Sequence, residues 1–201
     1  MLITKIICGK KSKNQLYVDG QFYCYLDSET ILLNGLKEGQ EIDFSRLEEL
    51  VFESSFKSAK EKAFYILERR DHSKFELVSK LKKDFDENVA LSVSEKMVDL
   101  GLINDESFAE KYAKELLSSK CYSKNRAKLE LIKKGISKDM AESVLDEFDF
   151  DAEKNIKKLI EKKYKNAFSD EKIKRRAVAF LLRHGYNFED IRRVLLNNSD
   201  W

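Results

Sequence analysis

Apolar positions in LIKKGISKDMAESVL (131–145) and LLRHGYNFEDIRRVL (181–195) fall on the same beat, and each stretch carries a basic or near-basic pair before a glycine. Shifted by fifty positions, Leu131, Ile132, Gly135, Ile136, Ala141, Val144 and Leu145 fall on Leu181, Leu182, Gly185, Tyr186, Ile191, Val194 and Leu195. The same shift backward sets Ala113, Leu116, Leu117, Ser123 and Leu131 over Ala63, Ile66, Leu67, Ser73 and Leu81. A three-residue insertion near Asp84–Glu87 then restores register with Val89, Val93, Met97 and Val98. Apolar positions match while surface positions drift, so the chain carries three copies of one unit.

Each copy holds three apolar-striped segments at helical spacing. They are Lys60–Arg70, Lys74–Lys83 and Val89–Leu100 in the first, and Phe108–Lys120, Lys124–Lys134 and Lys138–Phe148 in the second. The third has Ala152–Tyr164, Asp170–His184 and Phe188–Leu196. A helix of ten or so residues is marginal unless its stripe is buried against neighbours, so each copy reads as a three-helix bundle. Ser73, Ser123, Ser137, Ser169 and Asn187 are the expected N-caps, since their side-chain oxygens accept from orphan amides of the first turn. Gly101, Gly135 and Gly185 punctuate the helical part, the last two as left-handed residues that end the second helix of a unit. The aromatic stripe Phe64, Tyr65, Phe108 and Tyr112 is expected in the core.

Upstream the pattern changes. ITKIIC (3–8) alternates imperfectly, and LYVDGQFYCYL (16–26) sets β-branched and aromatic runs on either side of Asp19-Gly20, a hairpin signal because both turn positions need positive φ. SETILLNGL (28–36) reads as a short capped helix ending at Gly35, and helical patterning resumes at Asp43 or Ser45. The expected fold is mainly α: tandem three-helix-bundle repeats, three units forming an elongated curved rod, behind a small N-terminal antiparallel β hairpin or sheet. The boundaries are 1–58 (with the start of a linking helix), 59–107, 108–151 and 152–201. Such a rod offers a long surface rather than an enclosed cavity.

With 42% hydrophobic residues in 201, the chain can bury a real core. No apolar run reaches membrane-spanning length and no secretory leader is seen, so a cytoplasmic protein is expected, away from membranes. Cys8, Cys24 and Cys121 form an odd set without metal or redox spacing and read as reduced thiols.

Charge changes the picture more. The net +2 conceals thirteen Lys and Arg against six Asp and Glu over residues 152–193, a local excess of +7. Lys133-Lys134 and Arg183-His184 sit in last helical turns, and Lys174-Arg175-Arg176 and Arg192-Arg193 repeat the theme, as do Arg69-Arg70 and Lys82-Lys83. Two readings stay open: cations complementing helix dipoles, or basic ends following a phosphate backbone or a polyanionic protein groove.

Catalysis finds no constellation. His72 and His184 lie in different units, no phosphate-cradling glycine loop or nucleophile elbow occurs, and the carboxylates interleave with lysines on helix faces. No cofactor and no metal site is expected, since cysteines and histidines never cluster at ligand spacing.

SKFELVSKL (73–81), LGLINDESFAEKYA (100–113), ELIKKGI (130–136) and RAVAFLLRHGYNFEDIRRVL (176–195) resemble, in order and spacing, the RecX regulatory proteins that modulate the bacterial recombinase RecA. The likeness covers roughly residues 59–197. It implies a non-enzymatic protein of SOS response, DNA repair and homologous recombination that binds the RecA–DNA filament and DNA, single- or double-stranded, and alters filament assembly, ATP hydrolysis and strand exchange; a monomer is expected. By motif, Lys133, Lys134, Arg183, Arg192 and Arg193 fall on the family's charged positions, and Gly135 and Gly185 on its turn glycines. The third-unit charge map adds Lys174, Arg175 and Arg176 as contact candidates. His184 stands where the family commonly has arginine, and Lys120-Cys121-Tyr122-Ser123 lacks the small turn residue expected there. Two other classes remain: a helix-turn-helix-like protein reading base edges, which the acidic starts SKDMAES and NFEDIRR disfavour, and a helical adaptor for another protein.

Overall fold

A computed structural model describes residues 1–9 and 13–195, and the expected end of the last helix at Leu196 lies outside them. Three strands open the chain, β1 (Ile3–Ile7), β2 (Lys13–Val18) and β3 (Gln21–Asp27), in an antiparallel sheet of order β1-β2-β3. The β2–β3 turn is Asp19-Gly20 as the sequence indicates, with φ of 49° and 84°. Alternation in β2 turns Asn14, Leu16 and Val18 inward, and Leu16 pairs with Ile6 on one side and Cys24 on the other. The one polar member of that face, Asn14, donates to Ser28 Oγ at 2.9 Å.

Ten α-helices follow among the described residues: α1 (Ser28–Leu33), α2 (Phe44–Arg69), α3 (Lys74–Leu81), α4 (Glu87–Asp99), α5 (Asp105–Lys114), α6 (Lys124–Lys133), α7 (Lys138–Asp146), α8 (Ala152–Lys163), α9 (Glu171–Arg183) and α10 (Phe188–Leu195). The chain divides into two compact units, one up to Ile103 and one from Asn104 onward.

In the first unit, Ile3, Leu16, Leu26, Leu47 and Leu50 close a core between the sheet and the start of α2. A second core, with Ala63, Leu77, Leu81, Val93 and Met97 at its centre, joins the end of α2 to α3 and α4. Both cores share α2, a single helix of 26 residues capped by Asp43, because no proline or glycine interrupts 44–69. The boundary expected at 58/59 therefore falls inside a helix. Asp27 ties the two parts locally: its amide donates to Ser54 Oγ of α2 at 2.8 Å and its carboxylate lies 3.5 Å from Lys57 Nζ.

In the second unit, α5–α7 enclose Ala109, Leu116, Leu131, Ala141 and Val144, while α8–α10 enclose Ile156, Ile160, Phe180, Leu181 and Ile191. After α5 the chain widens into a π turn over Glu115–Ser119, and Cys121 then adopts φ 51°, the left-handed conformation for which the sequence offers no small residue. Ser73, Ser123, Ser137 and Asn187 cap helices as expected. Ser169 does not. The cap of α9 is the next residue, Asp170, whose carboxylate accepts from the amides of Lys172 and Ile173.

The aromatic stripe divides. Phe108 is buried, but Phe64 and Tyr65 are 42% and 60% exposed. The core face of α2 is carried by Ala59 and Ala63, and the two neighbouring rings are rotated off it.

Candidate nucleic-acid interface

The +7 segment becomes α8, α9 and α10, and their buried stripes decide which cations face outward. On α9, Ala177, Phe180 and Leu181 are buried. Lys172, Arg176 and Arg183 fall at i, i+4 and i+11 and so share one flank, whereas Arg175 and Lys174 are turned successively away from it. Three consecutive cations cannot share a helix face, so Lys174-Arg175-Arg176 is not one patch. Lys174 is half-buried, and Arg175 lies 3.7 Å from Glu171. On α10, Ile191, Val194 and Leu195 point inward and leave Arg192 and Arg193 exposed.

Arg176 also joins a cleft that the sequence reading missed. The last turn of α8 and the segment after it contribute Lys162, Lys163, Lys165 and Asn166, and α9 contributes Arg176, around a hollow of about 580 Å³. Tyr164 and Ile173 complete the lining, and no carboxylate is part of it among the described residues. Lys163 Nζ sits 4.3 Å from the Phe180 ring centroid, a cation–π contact that holds its stem while leaving the charge at the surface. The sequence signal was the run KKYK at 162–165, read only as the end of a helix.

Lys133 and Lys134 are more engaged. Lys133 is exposed but sits 3.0 Å from Glu130, which also receives Arg126 at 2.7 Å, and half-buried Lys134 lies 5.6 Å above the Tyr112 ring.

The glycines Gly101, Gly135 and Gly185 have φ of 69°, 83° and 86°. Gly185 does more than end α9. Its carbonyl accepts from Ser123 Oγ at 2.7 Å, the His184 carbonyl accepts from the Ser123 amide at 3.0 Å, and Tyr186 Oη donates to the Cys121 carbonyl at 2.8 Å. The end of α9 is thus docked on the start of α6. That turn is held open by the left-handed Cys121, whose carbonyl Tyr186 takes up. His184 packs into this junction, 4.0 Å from the Phe180 ring and 5.1 Å from Tyr122, with Nδ1 3.0 Å from the Phe180 carbonyl. Burial, with Lys163, Arg126 and Arg183 nearby, holds its pKa below the usual histidine value. His184 is therefore a neutral packing group and not the second half of a basic pair.

Among the described residues no group of three or more His, Cys, Asp or Glu could hold a metal ion, and no helix is long and apolar enough to cross a membrane. The three cysteines are free.

These features define a class: a protein of tandem three-helix bundles, one of them strongly basic, behind a small sheet. Family models for the first, second and third three-helix domains of RecX match residues 59–97, 104–145 and 151–195. The regulatory protein RecX of Caldanaerobacter subterraneus subsp. tengcongensis is 32% identical over 97% of this chain and 98% of its own length. That of Clostridium perfringens strain SM101 is 35% identical over 98% and 97%. The chain belongs to the RecX family of regulatory proteins. A crystal structure of regulatory protein RecX superposes with a TM-score of 0.63 at 20% identity, covering 96% of this chain and 98% of that one. RecX from Lactobacillus salivarius gives 0.59 at 24% identity, over 71% and 96%. Both share the fold.

Proposed function

We propose that this protein is a non-enzymatic regulator that binds the RecA recombinase filament and DNA, and so alters filament assembly, ATP hydrolysis and strand exchange. Family membership supports the recombinase as partner. The observation that carries the polyanion part is the carboxylate-free cleft of Lys162, Lys163, Lys165 and Arg176, with Arg183, Arg192 and Arg193 exposed on the same bundle. Cations gathered without neutralising carboxylates make a positive field, which salt screens, and each phosphate they meet releases condensed counterions. Lys133, Lys134, Lys174 and Arg175 are proposed as secondary contacts, since their charges already have local partners or are turned aside. Base-edge readout by α7 or α10 is less favoured, because Asp139 stands in the first turn of one, and Glu189 and Asp190 in that of the other, where phosphate would be repelled.

The test is DNA-stimulated ATP hydrolysis by RecA with and without this protein. Substoichiometric protein is expected to change the rate, and the protein alone to hydrolyse nothing. An unchanged rate at equimolar protein overturns the regulatory reading.

A further inference from the structure

A second basic cavity lies in the other compact unit, within the first three-helix bundle and apart from the cations assigned above. It encloses about 520 Å³ between the end of α2 and α3. Its wall includes His72, which sits in the turn between the two helices and is only 5% exposed. The ring's Nδ1 lies 2.9 Å from the Arg70 carbonyl, whereas Nε2 is buried and has no hydrogen-bond partner. A carbonyl can only accept, so Nδ1 carries the proton and Nε2 of the neutral ring presents a lone pair. A buried acceptor left open beside a hollow is a position that a ligand's donor can fill.

The rest of the wall is cationic. Lys62 is paired with Asp84 and Arg70 with Glu76, while Arg69 reaches the Tyr65 hydroxyl at 3.1 Å and stacks 5.5 Å from its ring centroid. Lys80 and Lys83 complete the charge without an ion-pair partner among the described residues. Such a ligand must be anionic and must also bring a hydrogen-bond donor to Nε2. Phosphodiesters, sulfate and carboxylates are anions without a proton near neutrality. A phosphate monoester, with its second pKa near 6, still carries one on about a tenth of its molecules at pH 7 and on about half at pH 6.

We infer that this cavity binds a terminal phosphate monoester, of a free nucleotide or of a nucleic-acid end, with the phosphate hydroxyl donating to His72 Nε2 and its charge met by Arg69, Lys80 and Lys83. The volume falls in the range of small-ligand sites, and the exposed Tyr65 ring offers a stacking face for the attached base. His72 shares the cavity wall with Lys62, Tyr65, Arg69 and Arg70 of α2 and its end and with Lys80 and Lys83 of α3 and its end, and Arg70, Glu76 and Lys80 act on the ring electrostatically. Burial first, and then Arg70 and Lys80, keep the ring neutral when the site is empty. The proton of the bridge therefore stays on the phosphate, and the bridge is lost as pH rises above the second pKa of the monoester.

The proposal stands apart from recombinase regulation and is tested without RecA. The full chain is titrated with inorganic phosphate, sulfate, adenosine 5′-monophosphate, and one oligonucleotide bearing either a 5′-phosphate or a 5′-hydroxyl, while the His72 ring nitrogens are followed by NMR. Inorganic phosphate is expected to shift the His72 Nε2 resonance, and sulfate to leave it in place. The monophosphate or the 5′-phosphorylated oligonucleotide is expected to bind about tenfold or more tightly than its unphosphorylated counterpart, the gain typical of a charge-assisted hydrogen bond. Affinity should fall about tenfold per pH unit above roughly pH 7, as for loss of one bound proton. Binding by the nucleotide alone assigns the site to free nucleotides, and preference for the phosphorylated oligonucleotide assigns it to nucleic-acid ends. Because His72→Gln could perturb folding, Lys80→Glu with Lys83→Glu is run beside it and should abolish the phosphate response at unchanged melting temperature. Equal binding of both oligonucleotides with no effect of the nucleotide, an unmoved Nε2 resonance, or a response that survives the lysine reversals overturns the inference.

Discussion

Replacing Gly185 by alanine tests whether this residue ends a helix only or also docks it. At φ 86° any L side chain is strained, and an alanine there costs about 1–2 kcal/mol relative to glycine. The added methyl would also stand 2.5 Å from Ser123 Oγ, 2.6 Å from Arg126 Cβ and 3.2 Å from the Arg126 amide nitrogen. Those atoms belong to the capped first turn of α6. Relieving the overlap means moving Ser123 off the Gly185 carbonyl, where its hydroxyl now donates at 2.7 Å, and weakening its bond from the Arg126 amide at 3.2 Å. Overpacking typically costs about 1–3 kcal/mol and a lost cap about 1 kcal/mol, so the total with the backbone part is about 3–6 kcal/mol. Gly101→Ala is the control: φ there is 69°, yet an added Cβ meets nothing within 4 Å. It should lose only the backbone part, about 1–2 kcal/mol. Urea unfolding followed by far-UV circular dichroism gives both numbers. Equal losses for the two variants would refute the docking role and leave Gly185 an ordinary helix terminus.

Reversing Lys162, Lys165 and Arg176 to Glu should weaken oligonucleotide binding without sequence preference and flatten the slope of log K against log[salt] by about two to three units. Titration at several salt concentrations, with Lys174→Glu and Arg175→Glu as the comparison, would show the reverse ranking if the cleft is an ordinary solvated surface. Gly135→Val should destabilise by more than about 1 kcal/mol, because a β-branched residue is an outlier at φ 83°, and unchanged melting would contradict the left-handed cap. Burial opposes ionisation of Asp27, but hydrogen bonds from Thr30 and Ser54 and the charge of Lys57 outweigh it and hold the carboxyl at about 2. Its contribution, about 1–2 kcal/mol after solvent screening, is present above pH 4 and lost as pH falls toward 2, so Asp27→Asn should shallow the acid limb of the stability curve.

The helix order was legible because the apolar beat persists through three copies, and the glycines at 101, 135 and 185 marked real left-handed turns. The first repeat opens inside α2, as the linking helix expected before residue 59 allows, because a repeat boundary in sequence is not a break in backbone hydrogen bonding and 44–69 holds nothing to make one. Other expectations failed for local causes. Ser169 and Asp170 are adjacent residues of equal capping ability, and periodicity does not separate them. Phe64 and Tyr65 match helical spacing to distant aromatics, but two consecutive residues on a helix diverge by about 100°, and the small Ala59 and Ala63 hold the packed face. The same geometry scattered Lys174, Arg175 and Arg176. The cleft escaped notice because its cations come from the end of one helix, the following turn and the next helix, a convergence that segment-by-segment counting does not reveal.

His184 shows why one copy of the repeated phrase departs from the Lys133-Lys134 pair of the other. An arginine there would carry a permanent charge into the space between Phe180 and Tyr122, with Lys163, Arg126 and Arg183 around it. A neutral imidazole fills that space and gives Nδ1–H to the Phe180 carbonyl. The cost returns on acidification. Burial and the neighbouring cations lower the folded-state pKa below the usual value near 6.5, so between the two values the unfolded chain binds more protons. Stability from this site is complete above about pH 6.5 and is lost as pH falls below it. His72 acts in the same direction, so the whole protein should lose stability from pH 7 to 5. His184→Phe keeps an aromatic ring between the same neighbours and removes the titration. Thermal melting of the two proteins across pH 5–8 should show a shallower decline for the variant, with His72 and the carboxylates supplying what remains. Parallel curves would mean that His184 titrates normally and lies free of the junction, contrary to the bond between its carbonyl and the Ser123 amide and to the ring contacts that place it there.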